Sequence, residues 1–557
     1  MRNLFAPALL FCALMFGASC SSTGKCGPDT CSGCCDTGGK CQAGTDDKVC
    51  GQAGAACAAC PSGTTCYFRV CAMGGTGGGS ASGGGSATGG GSATGGGGGS
   101  VAPSSHFGPL LHWPVPDSTT AAGFYAPNVA NAANQWSLID LDGDGKPDLV
   151  QTADPASTGP TPFGADAGTA SWRFFKNTGS GFSLTATVWN LPKQANPTEF
   201  NAATGGDGKT NWATVDLDGD KAPELVRTVD PDGGGALPFD GGEISDGGEG
   251  WYWQTFANSG SGFSGTPGKW DVPESGSANG FNALNSGSPT ARWSVFDLSG
   301  DGLRDLVQTS DPASSDSVFT SGGMSFWKVY LNTGSAFSGT PSTWVVPNTP
   351  TAGGFYAPAV TSSLRNWALF DLDADGAPEL VQTSDPTTLN QVFGYLAPPT
   401  VWQVYLNTGT GFLPTANAYP VPDSATDGGF FAPNLRAANF VWSVADLTGD
   451  RRADLIQTDD PKRAKGVFGQ DAGMPYWKLY PASASGFGAE VDFPVPDAGL
   501  ASGFYAPSGA GGAENWVLVD LDGDGRLDLV QTGDPAAMNT VFNASGSAEW
   551  HVWRGVP

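Results

Sequence analysis

Residues 104–557 are expected to form an all-β, six-bladed β-propeller, and three observations lead there. First, a tryptophan-led apolar run enters an acidic loop and leaves as a second apolar run, as in Trp136-Ser-Leu-Ile-Asp140-Leu-Asp142-Gly-Asp144-Gly-Lys-Pro-Asp148-Leu-Val-Gln-Thr. The leading residues are Trp136, Trp212, Trp293, Trp367, Trp442 and Trp516, spaced by 76, 81, 74, 75 and 74 residues, the regularity of a repeat architecture. Second, apolar residues alternate within each unit on a two-residue period. In the fourth unit the runs are Trp367-Ala-Leu-Phe-Asp371, Glu379-Leu-Val-Gln-Thr, Val401-Trp-Gln-Val-Tyr-Leu-Asn407 and Tyr419-Pro-Val-Pro422, so four short strands are expected per blade. Glycine and proline punctuate the joins, and no stretch carries helical periodicity with caps.

Third, the ends of the array complement each other. The residues from Trp516 to Pro557 together with 104–135 make one period of 74. Trp550-His-Val-Trp-Arg matches a third strand, while Leu111-His-Trp113-Pro-Val-Pro116 matches the fourth strand seen at Trp344-Val-Val-Pro347. The N-terminal strand is therefore expected to complete the last blade, placing Trp113 beside Trp550 and leaving no open edge. Such a ring is expected to be a monomer.

The 557 residues divide by composition into four parts. Residues 1–19 have one early cation, Arg2, then an apolar run and small residues, the layout of a secretory signal too short to span a bilayer. Residues 20–72 hold ten cysteines from Cys26 to Cys71, whereas the repeat region has none. After an export signal, that density predicts a disulfide framework of undetermined connectivity, because so short a segment buries little apolar surface; zinc on Cys31-x-x-Cys34 and Cys57-x-x-Cys60 is the competing reading. Residues 73–103 are Gly/Ser-rich, a composition that behaves as flexible coil with a span on the order of 30 Å. A net charge of −27 argues against nucleic acid and anionic lipid, and favours cations or neutral partners.

Each acidic loop places oxygens at positions 1, 3, 5 and 9 about a tight turn with glycine favoured at 6. That spacing suits a hard cation needing six or more oxygens, with the carbonyl of position 7 adding to the side chains. The candidate ligands are Asp140, Asp142, Asp144 and Asp148; Asp216, Asp218, Asp220 and Glu224; Asp297, Ser299, Asp301 and Asp305; Asp371, Asp373, Asp375 and Glu379; Asp446, Thr448, Asp450 and Asp454; and Asp520, Asp522, Asp524 and Asp528. Unlike an EF-hand, the loop lacks a glutamate at 12 and continues as a strand. Polar turns alone would explain the composition, but six uncompensated carboxylate clusters would repel; calcium fits better than magnesium, which demands stricter octahedral geometry. Lys221 and Arg451 replace the turn glycine and Ser299 and Thr448 replace a carboxylate, so occupancy should be graded and the fifth site weakest.

This nine-residue loop, recurring once per period over residues 104–557, resembles the FG-GAP or VCBS repeats of integrin-type propellers, which implies calcium in the loops. Phe16-Gly17-Ala18-Ser19-Cys20 resembles a bacterial lipobox, with Gly17 where leucine is usual; the resemblance implies lipidation of Cys20, and Ser21 would suit outer-membrane delivery. Secretion or a periplasmic location is the alternative. The spacing of the cysteines resembles the small modules at the N-termini of myxobacterial surface lipoproteins.

The only histidines are His106, His112 and His551, expected on strand surfaces, and no Gly-x-Ser-x-Gly, His-Glu-x-x-His or phosphate-binding loop occurs. A second repeated element, Gly123-Phe-Tyr-Ala-Pro127, Gly354-Phe-Tyr-Ala-Pro358, Gly429-Phe-Phe-Ala-Pro433 and Gly503-Phe-Tyr-Ala-Pro507, becomes Phe200-Asn and Phe281-Asn in the other units. Packing between blades is the first reading of its rings. The second is a repeated stacking surface formed by Tyr125, Tyr356, Phe431 and Tyr505. The function expected is noncatalytic recognition or adhesion toward glycan or protein at the cell surface, against a lyase-like carbohydrate-active enzyme or a purely structural envelope protein.

Overall fold

The computed structural model describes residues 106–556 apart from short loop segments, the longest at 232–250, together with stretches between residues 34 and 73. The expected signal, Cys20 and the Gly/Ser-rich segment beyond residue 73 lie outside the described residues. Two compact units are present, Met1–Gly99 and Ser100–Pro557. In the first, three antiparallel ribbons are described: Cys34–Cys35 with Cys41–Gln42, Thr45–Asp46 with Val49–Cys50, and Thr64–Tyr67 with Val70–Met73. No helix among the described residues is long and apolar enough to cross a membrane.

The second unit is a six-bladed propeller of antiparallel sheets. The first blade sets the pattern with Gln135–Ile139, Asp148–Gln151, Ser171–Phe175 and Thr187–Asn190, the four expected strands. The expected count of four falls short in every blade. A fifth, very short strand, such as Val129–Ala130, Thr204–Gly206 or Ser286–Ser288, pairs with the tryptophan-led strand. Two or three small residues cannot display alternation, so this edge strand is invisible to periodicity. The third and sixth blades add a sixth strand, Phe319–Ser321 and Phe542–Ala544, which turns back on an elongated third strand.

The ring closes as its ends imply. His106–Pro114 pairs with Ser547–Val556, setting Trp113 opposite Trp550 and His112 opposite His551. Each blade is held internally by an aromatic pair across its third and fourth strands: Trp172 with Trp189, Trp253 with Trp270, Trp327 with Trp344, Trp402 with Tyr419, Trp477 with Phe493, and Trp550 with Trp113. A phenylalanine from the following blade caps each pair edge-on. Phe263, for example, sits 5.6 Å from Trp172 and 6.0 Å from Trp189. For the fifth blade that role falls to Phe107, from the N-terminal strand, 5.8 Å from Trp477 and 5.1 Å from Phe493. Such edge-to-face contacts add about 0.5–1.5 kcal/mol each beyond burial.

The repeated aromatic loop is the joint between blades. Its phenylalanine, Phe124, Phe200, Phe281, Phe355, Phe430 or Phe504, is completely buried. The carbonyl of that residue accepts the indole N–H of the preceding blade's third-strand tryptophan at 2.6–2.8 Å: Trp550, Trp172, Trp253, Trp327, Trp402 and Trp477 in turn. Two residues on, the alanine carbonyl accepts the indole N–H of the blade's own leading tryptophan, as in Trp367 to Ala357 at 2.9 Å. Tyr125, Tyr356, Phe431 and Tyr505 lie edge-on to those leading tryptophans at 5.6–5.9 Å. Tyr356 and Tyr505 are buried and Tyr125 and Phe431 half-buried, so these rings serve first as packing elements. The Gln-Thr-x-Asp-Pro segment finds its reason in the same joint. Thr383, Thr458 and Thr532 hydroxyls donate to the carbonyls of Phe431, Tyr505 and Tyr125 in the next blade.

Trp550→Phe removes the indole donor at the closure and leaves the buried Phe124 carbonyl unpaired, a cost of about 1–3 kcal/mol. Trp189→Phe makes the same change where the buried indole N–H has no partner. Urea unfolding should show the larger loss for Trp550→Phe; equal losses would refute the clamp.

Candidate functional site

Each acidic loop joins the first strand of its blade to the second, with position 1 just past the first strand and position 9 opening the second. The second strands are buried throughout, so the ninth carboxylates are drawn inward: Asp148, Asp305, Asp454 and Asp528 are fully buried, and Glu224 and Glu379 nearly so. The turn needs two left-handed residues. Position 6 has φ between 68° and 90°, including Lys221 and Arg451, which bear that strain without being glycine. Position 4 is equally left-handed, with glycine in five loops and Ala374 at φ 65° in the fourth, a requirement the sequence reading missed.

Backbone N–H groups organise the carboxylates identically in all six loops. Both oxygens of position 1 accept main-chain N–H groups from the turn, as in Asp520 with Gly523 and Gly525 at 2.8 Å each. Position 5 accepts the N–H of position 7 at 2.8–3.1 Å. Position 9 accepts the N–H of position 2 at 2.9–3.2 Å. Four loops bring three carboxylates together with donor atoms within 4.8 Å of one another: Asp140, Asp142 and Asp148; Asp216, Asp218 and Glu224; Asp371, Asp373 and Glu379; Asp520, Asp522 and Asp528. The fifth-position residues Asp144, Asp220, Asp375 and Asp524 stand outside these triads. Asp297, Ser299 and Asp305, and Asp446, Thr448 and Asp454, offer two carboxylates and a hydroxyl, with Asp301 and Asp450 at position 5.

The donor set fits a hard divalent cation. At an effective dielectric near 20, two carboxylates 4.8 Å apart repel by roughly 3 kcal/mol, a large part of a domain's net stability. Asp142 Oδ1 and Glu379 Oε1 are buried without a hydrogen-bond partner, the condition of oxygens arranged for an ion. Burial, reinforced by Asp373, pushes Glu379 up to about 9. Burial, set against the N–H groups that lower it and neighbouring carboxylates that raise it, pushes Asp148, Glu224 and Asp528 up to about 7.

The loops compensate that charge by different means. In the first, Lys176 bonds Asp142 and reaches Asp144 at 3.0 Å. In the sixth, Arg554 Nε lies 2.9 Å from Asp522. The equivalent positions in the other blades are Ala257, Leu331, Leu406 and Pro481, so the two loops with complete ligand sets and both turn glycines are the two met by a cation from the end of the third strand. In the third and fifth, the N–H of Ser299 or Thr448 adds a 3.0 Å bond to the ninth carboxylate. Loops two and four have neither device; loop two carries Lys221 at position 6, and Arg452 of the next loop acts on Asp373 of loop four.

Adjacent loops touch around the ring. A β-carbon on Gly143, Gly219 or Gly300 would fall 3.1, 2.6 or 2.8 Å from Ala222, Leu303 or Ala377 of the next loop. Asn177, Asn258, Asn332 and Asn407, at the ends of third strands, each donate to the carbonyl at position 8 of their own loop and to that at position 2 of the preceding one. Ala482 and Gly555 hold this position in blades five and six. There, Ala453 N–H to Asp371 O at 3.2 Å and Arg526 Nη1 to Thr448 O at 2.7 Å make the links. The recurrent Asn-x-Gly after the third strand was the available signal for these residues, and it reads equally well as an ordinary turn.

No family model matches the chain, and no curated protein matches it. Among solved structures it is similar to a lectin from Agrocybe aegerita described as recognising non-reducing terminal N-acetylglucosamine, at 15% identity and TM-score 0.40 over 82% of this chain and 96% of that one. It is also similar to the Photorhabdus luminescens Tc holotoxin pore, at 16% identity and TM-score 0.41 over 80% of this chain and 14% of that one. The polysaccharide lyase Uly1 is more remote, at 11% identity and TM-score 0.23 over 80% of this chain and 92% of that one. At these identities and scores the likenesses say nothing of what this chain binds.

The raised carboxylates hold protons in the folded state that the unfolded chain has released above about pH 4.5. Metal-stripped protein should therefore lose stability as pH rises from 5 toward 9, and its melting temperature should be higher at pH 5.5 than at pH 8. A higher value at pH 8 would contradict this electrostatic account.

Proposed function

We propose that the chain is an exported, lipid-anchored propeller, stabilised by calcium in its acidic loops, that acts as a noncatalytic recognition or adhesion module for glycan or protein at the cell surface. The buried, unpartnered oxygens of Asp142 and Glu379 support the ion. Binding in loops one and six has to displace Lys176 or Arg554 from a ligand carboxylate. Loop five remains the weakest, because Arg451 and Thr448 both reduce its negative charge.

The observation that carries the recognition reading is a cleft of about 440 Å³ lined by residues of blades two and three, among them Thr204, Asn211, Thr214, Asn285 and Arg304. These are the two blades in which Asn201 and Asn282 stand in place of the second ring of the aromatic loop. The size suits a small ligand, and hydroxyl, amide and guanidinium groups suit a polar one such as a sugar.

Calcium added to stripped protein at pH 7.5 should raise the melting temperature by several degrees, the shift expected for a few kcal/mol of ligand linkage. Magnesium at equal concentration should do less, and an unchanged melt would sink the ion proposal. On a glycan array, calcium-loaded protein should retain sugars and Arg304→Ala should lower retention about tenfold. Release of cleaved product from a polysaccharide would overturn the noncatalytic reading.

A further inference from the structure

The ring closure carries a second donor cluster whose chemistry differs from that of the acidic loops. His112, on the N-terminal strand His106–Pro114, pairs in register with His551 on the last strand, Ser547–Val556. Glu549 lies two residues before His551 and so on the same face of the sheet. His112 Nδ1 is 2.6 Å from Glu549 Oε1, and His551 Nε2 is 3.6 Å from the same oxygen. One donor atom from each of the three lies within 4.8 Å of the others.

These distances approach one face of a tetrahedral site. With metal–ligand bonds of about 2.0–2.1 Å, the donors of such a face stand about 3.3 Å apart. Reaching that spacing from 2.6 and 3.6 Å takes shifts of under about 1 Å, and the edge between the two imidazoles, within 4.8 Å, closes by at most about 1.5 Å, within the range of side-chain torsions. His112, with 58% of its side chain exposed, has room for the adjustment, while Glu549 is 10% exposed and His551 20%. His551 is held by Phe542, stacked on its ring at 3.6 Å with an interplanar angle of 13°. That phenylalanine comes from the added strand that, among the described residues, the third and sixth blades carry.

We propose that His112, Glu549 and His551 bind a zinc-class divalent ion that staples the first strand of the ring to the last. Two imidazoles and one carboxylate are the donors of zinc and late first-row metals, not of calcium or magnesium. Three protein ligands leave a fourth position open, on the side where His112 meets solvent. The donors come from residues 437 apart in sequence and meet only when the ring is closed, so metal binding is coupled to closure. Two of the chain's three histidines are committed to this one spot.

The test uses the full chain, oxidised, stripped of metal and then saturated with calcium chloride so that the acidic loops are occupied. Zinc chloride titrated into this protein should bind with one equivalent dependent on His112, and should raise the melting temperature. Cobalt(II) should give the intense visible absorption of a four-coordinate site. His112→Ala should abolish the cobalt spectrum, remove the zinc-induced rise measured against the variant's own zinc-free melt, and weaken zinc binding by at least about tenfold, the scale on which even supporting partners of a metal ligand act. Should that variant fold poorly, Glu549→Gln supplies the same comparison. No zinc response of the wild-type protein in excess calcium, or equal affinity in a folded variant, would overturn the proposal.

Discussion

The indole clamp on the aromatic loop is the constraint from which the rest of the ring follows. A buried carbonyl without a partner costs about 1–3 kcal/mol, and each aromatic loop presents two that are met by indoles, one from the preceding blade and one from its own. The loop can satisfy both only when neighbouring blades stand at one separation and one rotation. Six such joints set the geometry of the ring. The joint between Trp550 and Phe124 spans 426 residues and is chemically the same as the other five, so the chain ends meet by the rule that governs every interface.

With the blades so placed, the loops between their first and second strands form a continuous acidic belt. Its members touch through left-handed glycines and through asparagines that each bind two loops at once. Repulsion in such a belt has to be balanced locally, and the protein balances it unevenly. Lys176 and Arg554 serve loops one and six, which flank the closure, and added N–H bonds serve loops three and five. Loop two has only its own Lys221, and loop four draws on Arg452 of the loop that follows it. Arg554 also donates to the Gly179 carbonyl and lies 5.8 Å over the Trp113 ring, tying the last blade to both the first blade and the closing strand.

Much of this was legible in the residues themselves. The period of the tryptophans, the two-residue alternation and the complementary ends at Trp113 and Trp550 are local or countable properties, and they imply the blade number and the closure. The spacing of carboxylates at positions 1, 3 and 9 is likewise local, because a nine-residue turn brings its own ends together. The short edge strands were not legible, since Thr204-Gly-Gly206 and Ser286-Gly-Ser288 have no apolar side chains to alternate. Nor was the role of Gly143 or Gly300, whose need to be small comes from an alanine in the next blade.

The sequence by itself determined the fold class, the ring closure and the positions of the six acidic loops, since each depends on residues close together in the chain or on a repeat that can be counted. The tertiary structure alone decided how the loops differ and where other chemistry gathers. Lys176 reaches Asp142 across 34 residues, and His112 meets Glu549 across 437. Contacts of that kind exist only after the blades are clamped in place, so no local pattern announces them.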